Sequence, residues 1–120
     1  MPPTILVVDD SPTERTILAN ALQGRGYRVI TATDGDEALT KAASERPDLV
    51  LLDVVMPKRN GFQVCRALKT GRETQSIKVV MLTSKQLESD RFWGLKQGAD
   101  SYLVKPLPVA DLIAAVGGLL

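Results

Sequence analysis

Two adjacent carboxylates, Asp9 and Asp10, follow the apolar run Ile5-Leu6-Val7-Val8. A third, Asp53, follows Leu49-Val50-Leu51-Leu52 in the stretch LVLLDVVMPKRNG. A hydroxyl, Thr83, ends the run Val79-Val80-Met81-Leu82, and an ammonium, Lys105, ends Tyr102-Leu103-Val104. Brought together, these groups have a definite chemistry. Clustered carboxylates repel unless a cation stands among them, and hard oxygen ligands with room for water suit Mg²⁺. Lys105 adds a second, fixed positive charge, and Thr83 adds a hydroxyl donor. Such a set is complementary to a phosphoryl group and leaves one carboxylate to act as nucleophile and form an acyl phosphate. Each residue also has a plainer reading: Asp53 as a turn residue or helix cap, Lys105 as a solvated lysine, Thr83 as the end of a strand.

The elements that would position these residues are legible in the same runs. Four short, continuous apolar runs, and a fifth, more mixed one, YRVITA from Tyr27 to Ala32, read as strands covered on both faces, as a parallel sheet requires. Amphipathic segments separate them. SPTERTILANALQGRG opens with Ser11 as N-cap, Pro12 at the first helical position and Glu14 closing a capping box, and Gly24 or Gly26 can end the helix. DGDEALTKAASERP starts at a cap, Asp34, and stops before Pro47. GFQVCRALKTG puts Phe62, Cys65 and Leu68 at helical spacing, and LESDRFWGLKQGA puts Glu88, Phe92, Leu95 and Ala99 on one side, with Trp93 beside it; Phe92 and Trp93 read as core and flank rather than as a ligand box. PVADLIAAVGGLL closes the chain. Strand and helix alternating five times predict an α/β fold: a doubly wound five-stranded parallel sheet, flavodoxin-like order 2-1-3-4-5, with five helices. In such sheets ligands bind at the carboxyl ends of the strands, near the point where strand order reverses. Strands 1 and 3 are neighbours in this order, so Asp9, Asp10 and Asp53 are expected to converge, and Asp53, central on strand 3, is the best placed nucleophile.

Composition narrows the function. With 120 residues, 44% hydrophobic and 24% charged, the chain is long enough for one cored domain, expected to span 1–120 with no linker or second domain. A net charge of +1 argues against a nucleic-acid-binding face. No apolar run reaches the roughly 18 residues of a membrane span, and Met1-Pro2-Pro3-Thr4 has no basic region of a signal peptide. The single Cys65 forms no internal disulfide, so a cytoplasmic location is expected. There is no histidine, which removes the commonest general base.

In order and spacing, VVDDS at 7–11, DLVLLDVVMP at 48–57 with Asn60-Gly61, MLTS at 81–84, GAD at 98–100 and YLVKP at 102–106 are highly specific together. The chain resembles, along its whole length, a receiver domain of the two-component response regulators, of the single-domain chemotaxis type. DDSPTER, FWGLKQGADSYLVKP and the absence of an output domain resemble the regulators of type IV pilus twitching motility. The resemblance implies that Asp53 is the phosphoacceptor. It implies that Asp10, with Asp9 through water, forms the Mg²⁺ pair, Asp53 and the backbone carbonyl of Val55 completing the protein ligands. It implies that Thr83 is the switch hydroxyl, Tyr102 the switch aromatic that moves inward behind it, and Lys105 the phosphate-binding lysine, with a cis Lys105-Pro106 bond. Val55 departs from the family, many members of which carry a polar residue there; Lys85 faces the same entrance, so the phosphate lifetime is not inherited.

The implied function is a phosphorylation-dependent switch, not a turnover enzyme, charged by a sensor histidine kinase since the chain has no histidine of its own, and acting on a downstream protein. Three other readings compete. A degenerate receiver would be only a protein-binding module. An aspartyl-phosphate phosphatase usually has a second acid two residues after the nucleophile, where this chain has Val55. A flavodoxin-like cofactor binder would carry Ser, Thr and Gly, not Asp9-Asp10, after the first strand. The last helix is unusual: from Leu107 to Leu120 the only charged side chain is Asp111. Leu112, Ile113, Val116 and Leu120 are expected to be buried, and Val109, Ala110, Ala114, Leu119 and Gly117-Gly118 to face outward. With the last strand and the helix of Phe92 and Trp93, this face is the expected surface for a partner or a phosphorylation-dependent homodimer.

Overall fold

The structure, a computed structural model, describes residues 2–84 and 88–120. Lys85, which the sequence reading placed at the entrance of the site, lies outside the described residues. Strands and helices alternate along the chain: β1 (Thr4–Val8), α1 (Pro12–Gln23), β2 (Arg28–Ala32), α2 (Gly35–Glu45), β3 (Leu49–Leu52), α3 (Gly61–Thr70), β4 (Lys78–Thr83), α4 (Glu88–Lys96), β5 (Ser101–Val104) and α5 (Val109–Leu119). The strands form one sheet in the order β2-β1-β3-β4-β5, every pair parallel, as the alternation of runs predicted.

The period of a strand explains why the central runs are apolar throughout. Successive side chains point to opposite faces, and both faces are covered. Leu6, Val8, Val50, Leu52, Val79 and Met81 pack with α2 and α3 through Ala38, Ala42, Val64, Cys65 and Leu68. Ile5, Val7, Leu49, Leu51, Val80 and Leu82 pack on the other face against Leu18 and Leu22 of α1 and Leu112 and Val116 of α5. The edge strand β2 is only partly covered, which is why its sequence is mixed.

Helix starts follow the capping residues. Ser11 accepts the Glu14 amide at 3.3 Å, with Pro12 in the first turn. Asp34 accepts the Glu37 amide at 2.8 Å. The reciprocal capping box belongs to α3, where Asn60 and Gln63 exchange bonds of 2.9 Å. The box expected at Ser11 and Glu14 is incomplete: the Ser11 amide donates instead to Oδ1 of Asp9 at 2.9 Å, leaving the Glu14 carboxylate to a different partner.

Two helical faces differ from expectation. Phe92 and Trp93 are more than half exposed and Leu95 is exposed; the buried residue of α4 is Gly94. A Cβ at Gly94 would lie 2.7 Å from Cδ2 of Tyr102 and 2.9 Å from Sδ of Met81. The bare backbone of Gly94 therefore seats α4 on the sheet and turns the flanking large side chains outward. Phe92 and Trp93 meet edge to face, 5.8 Å between centroids, with the Lys96 ammonium 5.6 Å from the Phe92 ring. In α5, Leu119 packs on the core and Leu120 is exposed, the reverse of the sequence reading, because the helix ends at Leu119 and no longer holds Leu120 on the buried stripe.

Candidate functional site

The carboxyl edge of the sheet is held in register by backbone bonds that run one residue past the strands. The Asp9 amide donates to the Ala32 carbonyl at 3.2 Å, the Asp53 amide to Val8 at 3.2 Å, and the Lys105 amide to Thr83 at 2.8 Å. The ends of β1, β3, β4 and β5 thus carry Asp9, Asp53, Thr83 and Lys105 to one rim. Gly61 closes the rim from below: its amide donates to the Val54 carbonyl at 2.8 Å, and a Cβ there would run into the Asp53 carbonyl. The Asn60-Gly61 pair is therefore a cap followed by a close approach.

At the rim, Lys105 Nζ stands 3.2 Å from Oδ2 of Asp9 and 3.4 Å from Oδ2 of Asp53. The second oxygen of each acid is held by main chain: Asp9 by the Ser11 amide, and Asp53 by the Val55 amide at 3.3 Å. Arg15 donates to the Asp9 carbonyl at 2.8 Å. Burial disfavours the Lys105 ammonium, but the Asp53 and Asp9 carboxylates outweigh it, and the Lys105 pKa is raised. Lys105 stays charged throughout the physiological range. The Lys105-Pro106 bond is cis.

Of the residues singled out in the sequence, Asp9, Asp53 and Lys105 meet directly. Asp10 does not join them; its side chain is exposed, and no ion pair among the described residues includes it. Asp9 is buried directly after β1, whereas Asp10, one residue further on, is open to solvent. Among the described residues no three Asp, Glu, Cys or His side chains form a metal cluster. The donors at the rim are nonetheless all hard oxygens, the chemistry that suits Mg²⁺, an ion that keeps several waters and takes only one or two carboxylates. Thr83 is fully buried at the end of β4. Tyr102 is buried beneath α4, and burial, with the Asp90 and Asp53 carboxylates, pushes its hydroxyl pKa up. Val55 lies beside Asp53 with an exposed side chain.

The sequence reading missed Glu14. Its Oε2 is 3.3 Å from Lys105 Nζ, a third carboxylate on the ammonium. The available signal was position: Glu14 sits one turn into the helix that leaves β1, above the same strand ends.

Comparison with known proteins places this arrangement. The model of the response regulator receiver domain matches residues 5–117. Protein PilH of Pseudomonas aeruginosa is 43% identical, covering 97% of this chain and 96% of its own. The alkaline phosphatase synthesis transcriptional regulatory protein PhoP of Bacillus subtilis is 45% identical over 97% of this chain, which spans only 48% of that relative's length. Among solved structures, chemotaxis protein CheY4 of Vibrio cholerae superposes with a TM-score of 0.94 at 34% identity, covering 100% of each chain. The receiver domain of sensor histidine kinase PA1611 of Pseudomonas aeruginosa, described with a magnesium ion coordinated in its active site cleft, gives 0.91 at 29% identity over 99% of this chain and 98% of its own. The chain belongs to the response regulator receiver domain family.

Proposed function

We propose that Asp53 is the phosphoacceptor through which this receiver domain works as a phosphorylation-dependent switch of a two-component system, charged by a sensor histidine kinase. The observation that carries the reading is the single Lys105 ammonium set between Asp9 and Asp53 at the carboxyl edge of the sheet. An oxygen of Asp53 forms the new P–O bond as the P–N bond of a partner's phosphohistidine breaks and the imidazole leaves with the electron pair. Lys105 offers fixed N–H donors to the transferring oxygens, positioned before the reaction rather than reorganised during it. Thr83, at the end of the neighbouring strand, offers its hydroxyl to the phosphoryl group. Asp9, Asp10, Asp53 and the Val55 carbonyl would hold Mg²⁺, whose charge neutralises phosphoryl oxygens; the magnesium described for the PA1611 receiver supports this.

The bound phosphoryl group then biases a two-state equilibrium through Thr83 and Tyr102. Tyr102 lies against Gly94 of α4, so a shift at the strand ends is felt by the helix that exposes Phe92 and Trp93. That helix, β5 and the exposed Val109 of α5 form the surface for a downstream protein or for a second phosphorylated copy. Likeness to PilH supports a role in motility control through type IV pili.

The test is intact mass after incubation with Mg²⁺ and acetyl phosphate. The wild type gains one phosphoryl group and Asp53→Asn gains none. Labelling of Asp53→Asn to the wild-type level would move the acceptor elsewhere.

A further inference from the structure

The Lys105 ammonium has three N–H donors and no acceptor, and three carboxylates stand around it: Asp9 at 3.2 Å, Glu14 at 3.3 Å and Asp53 at 3.4 Å. After transfer the Asp53 contact can pass to the phosphoryl oxygens, but the incoming group, with Asp53 still a carboxylate, finds all three donors taken, and the acid held least firmly is the one to yield. The three are not equal. The Asp9 side chain is 3% exposed and that of Asp53 14%, and each has its other oxygen on a main-chain amide. The Glu14 side chain is 47% exposed and reaches Lys105 from α1 on a longer, more rotatable stem. The adjoining cleft of about 510 Å³ is lined mainly by apolar side chains, Ile17, Leu18, Leu82, Leu107 and Val109 among them, so a displaced Glu14 carboxylate turns to the solvent that already reaches it.

Resting on the function proposed above, we infer that Glu14 is a displaceable counter-anion. It occupies Lys105 while Asp53 is unmodified, gives up that position to the incoming phosphoryl oxygens, and so sets how readily the site accepts a tetrahedral anion. Glu14 acts through Lys105 and is a positioning residue. Its carboxylate also adds one negative charge at the mouth through which a dianionic donor must pass, an effect that salt screens.

The test uses beryllofluoride, a phosphoryl mimic, titrated calorimetrically into the full chain with saturating Mg²⁺. The variants are Glu14→Gln, which keeps the size of the side chain and removes its charge, Glu14→Ala, and Glu73→Gln as control. Glu73 is an exposed acid paired with Arg46 at the far end of the sheet, so its variant changes net charge equally. Glu14→Gln and Glu14→Ala should bind roughly two- to fivefold tighter than wild type, the range of a half-exposed ion pair. Part of the advantage should disappear at high ionic strength, and Glu73→Gln should match wild type. A structural role for Glu14 would weaken binding or leave it unchanged. If the wild type binds and Glu14→Gln binds no tighter, the inference is wrong and the function stands. If the wild type does not bind at all, the function proposed for Asp53 fails, and the inference fails with it.

Discussion

Gly94→Ala sets two opposing effects of known size against each other. In the interior of a helix, alanine is worth about 1 kcal/mol over glycine. Against this, the new Cβ would lie 2.7 and 3.0 Å from Cδ2 and Cε2 of Tyr102 and 2.9 Å from Sδ of Met81. Tyr102 is 2% exposed and Met81 0%, both within the core cluster, so neither yields without moving other packed groups. Overpacking of this kind costs about 1–3 kcal/mol. The clash wins, and the variant should lose about 1 kcal/mol, a fall in Tm of about 3–5 °C for a domain of this size. Gly118→Ala is the internal control: it also lies in a helix, and a Cβ there meets nothing within 4 Å. That variant should gain up to about 1 kcal/mol. Thermal and urea melts by circular dichroism measure both. Equal gains at the two sites would refute the claim that α4 is seated through Gly94.

Other perturbations follow from the same structure. Asp100 accepts the Val79 amide at 2.8 Å and Lys69 at 2.9 Å, so Asp100→Ala should cost about 1–3 kcal/mol in urea melts. Burial works to raise the Asp100 pKa, but the Val79 amide and Lys69 outweigh it and the pKa is lowered. Its contribution is therefore present above the ordinary carboxylate pKa of about 4 and fades as pH falls through the lower folded value, and Asp100→Asn should flatten this part of the acid stability curve. Mg²⁺ at ten times its Kd should stabilise the wild type by about 1.4 kcal/mol and Asp10→Ala by much less; equal stabilisation would remove Asp10 from the metal ligands.

The sheet was legible because its central strands are buried on both faces and must be apolar at every position, as at Leu49-Val50-Leu51-Leu52. The meeting of Asp9 with Asp53 was legible because strand order makes β1 and β3 neighbours. Which acid at the rim is buried was not. Asp9 and Asp10 look alike in sequence, and only their burial in the fold separates the carboxylate on Lys105 from the exposed one. Glu14 was read as a capping residue because S-x-x-E is a local pattern, whereas its partner Lys105 is distant in the chain and the Ser11 amide had already been taken by Asp9. The face of α4 was misread because hydrophobic spacing favours Phe92 and Leu95, and a glycine that docks by lacking a side chain leaves no hydrophobic signal. In α5 two adjacent leucines compete for one stripe, and the end of the helix decides between them.

The phosphoacceptor can be identified chemically without altering the protein. An aspartyl phosphate formed with Mg²⁺ and acetyl phosphate is reduced by borohydride to homoserine, and peptide mass mapping then locates the modified residue. Homoserine at position 53, formed only when Mg²⁺ and phosphodonor are both present, is the expected result. Homoserine at position 9 or 10, or none while the protein still carries label, would contradict the assignment of Asp53.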